Sequence, residues 1–242
     1  MNSEIVKESL KKFSDVLSFN YPAVGWFFSQ ESLENSFVFK KDQWVCMFAY
    51  IRLVFKGKRV QFSSDIGKAC TGPTEFFGFA ELEDDDGIFL AEVERFIKTR
   101  ELSQAYTVWS KKVVNPPKAK YLNMEKLKNI DSEREIEVVN LFPSDPTCLA
   151  SLVTLSSYDR DSNIDNVLAP NCSGCQSIFT LPFNENQKDH PKCILGLNEP
   201  MVRNFVPKDM LLFSISANRF VEMANNIEGS FLDLNFKNPT GF

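Results

Sequence analysis

Histidine is almost missing: His190 is the single one in 242 residues, in the polar run KDHPK. That run reads as a surface loop, so Cys–His nucleophilic catalysis would require it to fold back on a thiol. The chain has no Walker loop, G-x-G-x-x-G, H-E-x-x-H or G-x-S-x-G, which leaves phosphate transfer and serine hydrolysis without support. No apolar run approaches the ~20 residues that a membrane-spanning helix needs, so no membrane partner is expected. The N-terminal MNSEIVKESLKKFSDVLSF is charged throughout and lacks a signal-like apolar stretch, which makes a cytoplasmic location the expectation. In that compartment six cysteines are expected to be reduced rather than paired in disulfides. Basic charge is not in excess either: 27 Lys and Arg against 32 Asp and Glu give a net charge of −5, which argues against nucleic acid as a partner.

What the chain does have is phenylalanine. Its 23 Phe, with 43% hydrophobic and 24% charged residues, predict a globular protein with a bulky aromatic interior. The N-terminal segment reads as an amphipathic helix with Ile5, Leu10, Phe13, Val16 and Leu17 near one face. AVGWFF (23–28) reads as a buried strand. DQWVCMFAYIRLVFKG follows as a helix starting near Asp42 and stopping at Gly57. KRVQF reads as a strand and KACTGPTEFFGF as a punctuated loop. ELEDDDG is a solvated loop without the ligand spacing of an EF-hand. GIFLAEVERFIKTREL is a second amphipathic helix, and the polar, Pro-containing Lys111–Glu135 a connector with limited structure. EIEVVNLF is then a strand and SDPTCLASLVTLSSY a helix capped by Ser144 or Asp145. KCILGL is a strand, EPMVRNFV a short helix, DMLLFSI a strand and SANRFVEMANNI a final helix capped by Ser216. Alternating strands and helices predict an α/β or α+β fold with a mixed sheet.

Cys46 and Cys70 are 24 residues apart, as are Cys148 and Cys172. Sliding the chain by 102 residues superposes Cys46 on Cys148, Leu53 on Leu155, Cys70 on Cys172, Gly72 on Gly174 and Phe77 on Phe179. This spacing predicts an internal duplication: a half-repeat at 1–110, a connector at 111–135 and a half-repeat at 136–242, packed as one compact unit. The two Cys-[Ser/Thr]-Gly turns would then be pseudo-symmetric and face a shared cleft. In each turn a glycine, Gly72 or Gly174, can take φ > 0 and let the backbone approach a ligand. A helix starting after either turn would favour an anion and lower a nearby thiol pKa. Within PNCSGCQSIF, Cys172 and Cys175 are spaced to chelate a metal, with Cys70 or Cys46 supplying a third sulfur. Each thiol has a plainer reading as a small buried hydrophobe, strongest for Cys46, Cys148 and Cys193. Arg203 and Arg219 read either as anion contacts near the turns or as solvated surface.

The runs WVCMFAYIRLVFKGKRVQF…CTGP…FFGF, VVNLFPSDPTCLASLV, PNCSGCQSI and ILGLNEPMVRNFVPKDMLLFSISANRFVEM resemble the prokaryotic family called domain of unknown function 169, or uncharacterised ArCR. The resemblance covers nearly the whole chain. Its pattern has a Cys at the position of Cys46, a C-x-G-G near Cys70, a G-x-G-C-type turn ending at Cys175 and an Arg like Arg203. The present chain departs from it with CTGP after Cys70, which narrows backbone freedom beyond Gly72. The resemblance implies a coherent fold and shifts emphasis among the thiols to Cys46, Cys70 and Cys175, with Cys172 additional. Three functions follow as expectations. The first is a binding protein for a small ligand, a thiolate-bound metal or an Fe–S cluster; the second is a redox or transfer enzyme using Cys175 and Cys172. The third is a non-catalytic interaction module with inert cysteines.

Overall fold

The computed structural model describes residues 1–38, 46–64, 71–82, 86–162, 164–171 and 174–234. Two apolar strands, β1 (Val24–Ser29) and β5 (Ile136–Leu141), pair antiparallel at the centre of an eight-stranded sheet. Outward from β1 lie β4 (Tyr121–Lys126), β3 (Arg59–Phe62) and β2 (Ser36–Val38). Outward from β5 lie β8 (Leu212–Ser216), β7 (Cys193–Gly196) and β6 (Val167–Leu168). The order is therefore β2-β3-β4-β1-β5-β8-β7-β6; the two edge pairs, β2/β3 and β6/β7, are parallel and the rest antiparallel. This is the mixed sheet of an α/β fold, as expected.

Because strand side chains alternate between faces, each sheet face carries its own core. Val24, Trp26, Met124, Val138 and Leu212 point to one face, under α2 (Met47–Phe55) and the helical stretch 176–185. That stretch is a π turn at Gln176–Thr180 running into α6 (Leu181–Glu185). Phe27, Val139, Phe213 and Ile215 point to the other face, under α1 (Ser3–Val16), α5 (Pro146–Leu155) and α7 (Ala217–Asn225). The phenylalanine content is spent chiefly on the first face. There Trp26, Phe62, Phe77 and Phe179 contact one another at centroid distances of 5.2–5.7 Å, and such pairs add about 0.5–1.5 kcal/mol each beyond area burial.

Several elements differ from their reading in sequence. Lys111–Glu135 is no loose connector, since it supplies β4, which pairs with both β1 and β3. GIFLAEVERFIKTREL is not one helix. A π turn at Phe89–Val93 ends at Arg95, whose φ is +58°, and α4 (Arg100–Val113) starts afresh with Thr99 accepting a hydrogen bond from the Leu102 N–H. Thr71–Phe76, within the expected loop, forms the short helix α3. The N-terminal helix buries Val6 and Phe13 and leaves Ile5 44% exposed, its rotation fixed by Phe13 stacking on Phe220 of α7 at 4.9 Å. The expected start of α2 near Asp42 lies outside the described residues, whereas Gly57 ends it at φ +87°.

The 102-residue offset is not reproduced as an equivalence of elements. Cys46 precedes α2 on one face of the sheet, while Cys148 lies in α5 on the other. Read inward from each edge, the strand order instead matches β2-β3-β4-β1 to β6-β7-β8-β5. The helical crossovers between the parallel edge pairs are then α2 and 176–185, headed by Cys46 and Cys175.

Candidate functional site

Both crossovers lie on the aromatic face, and they meet. Cys46 is the residue before α2 and Cys175 the one before the π turn; each is half-buried against the same core. The contact is made at Gly174. A Cβ there would lie 2.3 Å from Cε2 of Phe48, in the first turn of α2, and 3.2 Å from a carboxylate oxygen of Glu199. The backbone of Gly174 is helical, without the left-handed φ anticipated for it; glycine is required by the close approach of the Phe48 ring.

The turn is held from below. Asn140, buried in β5, accepts a hydrogen bond from Trp26 Nε1 at 2.6 Å and donates to the Ile178 carbonyl in the π turn at 2.9 Å. The Ser177 hydroxyl donates to the Gly174 carbonyl at 2.9 Å. Gln176 donates to Ser110 of α4 and accepts from the Tyr106 hydroxyl. Interrupted helices of this kind recur at functional sites because the widened turn re-aims its side chains.

From above, the loop after β7 brings Glu199. Leu197, buried and non-glycine, is held at φ +61°, a conformation that costs on the order of 1–3 kcal/mol. Asn198 donates to the carbonyls of Leu195 and Pro170 and so ties the loop to the chain just before the cysteine turn. Glu199 then accepts a hydrogen bond from the Gly174 N–H. Burial outweighs that bond and, with the negative charge of Glu94 nearby, pushes the Glu199 carboxyl up to about 7. Glu94, next to the strained Arg95, is itself raised by burial. The site thus combines two half-buried thiols, a closely approached peptide N–H and a carboxyl that exchanges its proton near neutrality, a combination suited to acid–base work or to ligation.

Neither Glu199 nor Glu94 was among the residues singled out in the sequence; the tertiary fold alone buries them. Cys70 and Cys172 lie outside the described residues. Gly72 falls in the first turn of α3. Arg203, in the 3-10 turn Met201–Asn204 that Pro200 joins to Glu199, donates through its guanidinium to the carbonyls of Lys208 and Met210 and closes its own loop. His190 is exposed beside Arg160, as a surface loop predicts. Among the described residues, no three His, Cys, Asp or Glu side chains are grouped to hold a metal ion. No helix among them is long and apolar enough to cross a membrane.

Cys148 and Cys193 take the plainer role expected of them. The Cys148 thiol donates to the Ser18 carbonyl at 3.1 Å, and burial raises its pKa. Cys193 is fully buried beside Met223 and pushed up to about 12. In native protein at neutral pH, neither is expected to react with iodoacetamide until the chain unfolds, which peptide mapping of the alkylated protein will check.

A family model for uncharacterised ArCR proteins, domain of unknown function 169, matches residues 12–226. The chain belongs to that family. The span takes in Cys46, Glu94, Gly174, Cys175, Glu199 and Arg203, so the whole site of this ArCR-family chain falls within it. No curated protein and no solved structure matches the chain.

The raised Glu199 carboxyl has a signed consequence for this ArCR-family fold. Its folded pKa, about 7, exceeds that of an unfolded Glu. The folded state therefore keeps a proton that the unfolded state releases, and stability falls as pH rises from about 4.3 to 7. Glu199→Gln should remove that slope, matching the wild type at pH 4 and exceeding it at pH 8 by on the order of 1–2 kcal/mol. Urea melts across that range measure it.

Proposed function

We propose that the protein is a binding protein whose ligand, a thiolate-bound metal or a metal-containing cofactor, docks at the Gly174–Cys175 turn against the head of α2. The observation that supports this most is the closeness of Gly174 to Phe48. It brings the Cys46-headed and Cys175-headed crossovers to one place on the aromatic face, with Glu199 on the Gly174 N–H. Thiolates favour soft and borderline cations, and a carboxyl that titrates near neutrality would add an oxygen donor to them, the set being completed only from outside the described residues. Cys70 and Cys172 are further donors in this reading, and Arg203 borders the ligand. The matching strand order from the two edges fits an internal duplication in which Cys46 answers Cys175 rather than Cys148.

Cobalt(II) titration of anaerobically reduced protein tests the proposal. A thiolate-to-cobalt charge-transfer band should grow to saturation, and should be lost or strongly reduced in both Cys46→Ala and Cys175→Ala. A colourless titration would end it.

A second reading is favoured by Glu199 alone: a thiol-dependent redox or transfer enzyme in which Cys175, with Cys172, is the nucleophile and Glu199 holds its proton. In that case the alkylation rate of Cys175 should follow a pH profile that Glu199→Gln displaces. A rate no faster than that of free cysteine, indifferent to Glu199, excludes it.

A further inference from the structure

Helix α4 is inside out. A surface helix normally turns its apolar stripe to the core and its polar face to water. Here the buried positions are Ser103, Thr107 and Ser110, with the Ser110 hydroxyl accepting from Gln176 at 3.0 Å. The outward positions include Leu102, 54% exposed, Val108, 52%, and Trp109, 44%, together with exposed Ala105. Phe89 and Val93, on the π turn packed against α4, are exposed as well. An exposed apolar stripe on a helix whose inner side is polar marks an interaction face.

The same stripe carries one charge of each sign at its two ends. Glu101 opens it and Lys112 closes it, both exposed. They are eleven positions apart, about 16 Å along the axis. On a helical projection both lie within about 40° of Ala105, in line with the apolar residues. Such a stripe is complementary to itself when turned end for end. Two antiparallel copies crossing midway between Ala105 and Val108 set Glu101 of each beside Lys112 of the other. Trp109 of each then lies over the small Ala105 of the other, and the Lys112 stem covers Leu102.

We propose that this face is a two-fold interface between two copies of the chain, formed by α4 packing antiparallel on α4. A closed isologous pair uses one patch on both partners, as a stripe with opposite charges at its ends requires. Since the inner side of α4 bonds to Gln176, one residue after Cys175, the interface backs directly on the π turn of the candidate site.

Sedimentation velocity and light scattering test it. The wild type should run at twice 27.6 kDa. Trp109→Glu should halve that mass while circular dichroism and the melting temperature, extrapolated to low concentration, stay native, because the side chain faces solvent in the single chain. Glu101→Lys and Lys112→Glu should each weaken association by facing like charges, and the double variant Glu101→Lys/Lys112→Glu should restore it. A wild type that is monomeric at every accessible concentration overturns the proposal, whether or not the face binds something else. So does a Trp109→Glu variant that stays dimeric, or a double swap that fails to recover the dimer.

Discussion

Arg219→Ala should cost about 3–5 kcal/mol of folding stability, among the largest losses expected of a single change in this chain. Arg219 is fully buried, yet it carries a guanidinium. Its two terminal nitrogens donate to Asp159 at 2.8 and 2.6 Å, to Glu222 at 2.9 Å and to the Ser156 carbonyl at 2.9 Å. These bonds fasten α7 to the turn that ends α5. Truncation leaves a cavity on the second core and strips Asp159 of its main counter-charge, leaving it Arg160 at 3.6 Å. Equilibrium urea denaturation measures the loss, and joint replacement of both partners by apolar residues of similar volume should recover much of it, because no charge is then stranded. The pair also sets an acid dependence. The Arg219 guanidinium holds the Asp159 carboxyl well below the usual range, so the pair's contribution is complete above about pH 4 and is lost as pH falls toward the folded pKa. The Arg219→Ala variant should lack that component of acid sensitivity.

Gly174→Ala is the second large effect, and it acts on function as well as stability. The new methyl would meet the buried Phe48 ring at 2.3 Å. Phe48 sits in a close-packed aromatic core, so the ring cannot simply swing aside, and overpacking of this kind costs about 1–3 kcal/mol. The strain acts where the two cysteine-headed crossovers touch, so loss of the cobalt band should accompany it. Phe48→Leu in the Gly174→Ala background should return part of the stability by making room. A Gly174→Ala protein as stable as the wild type, with its metal response intact, would show that the turns are not pressed together as described.

The elements that were legible in sequence are those whose chemistry is local. VGWFFS and IEVVNL are apolar enough to be strands buried on both faces, Asp145 caps α5 by accepting from the Cys148 N–H, and Gly57 stops α2. Strand β4 was not legible because YLNMEK is half polar and follows a proline pair. Its polar groups are satisfied only across the sheet, where Asn123 accepts from Gln61 at 2.8 Å and Glu125 pairs with Arg59 at 2.7 Å. Arg219 read as an anion contact near the turns or as solvated surface for the same reason: its partner Asp159 is 60 residues away in sequence. The thiols at the site were visible as a motif, and the repeat in their spacing pointed to a symmetric arrangement. The spacing paired Cys46 with Cys148, however, whereas strand order pairs it with Cys175, because helices at similar positions in a chain can cross to opposite faces of a sheet. Glu199 left no signal at all. An acid before a proline is ordinary; its pKa is raised by burial that only the tertiary fold creates, with the charge of Glu94 adding to it and the Gly174 N–H opposing it.

Whether Cys46 and Cys175 serve one ligand is decided most directly by cadmium NMR of the reconstituted protein. Shared ligation predicts a single cadmium resonance in the thiolate-bound range that shifts or vanishes in Cys46→Ser and again in Cys175→Ser, with Glu199→Gln moving it across the neutral pH range. A resonance indifferent to either cysteine, or no protein-bound cadmium, would contradict the account.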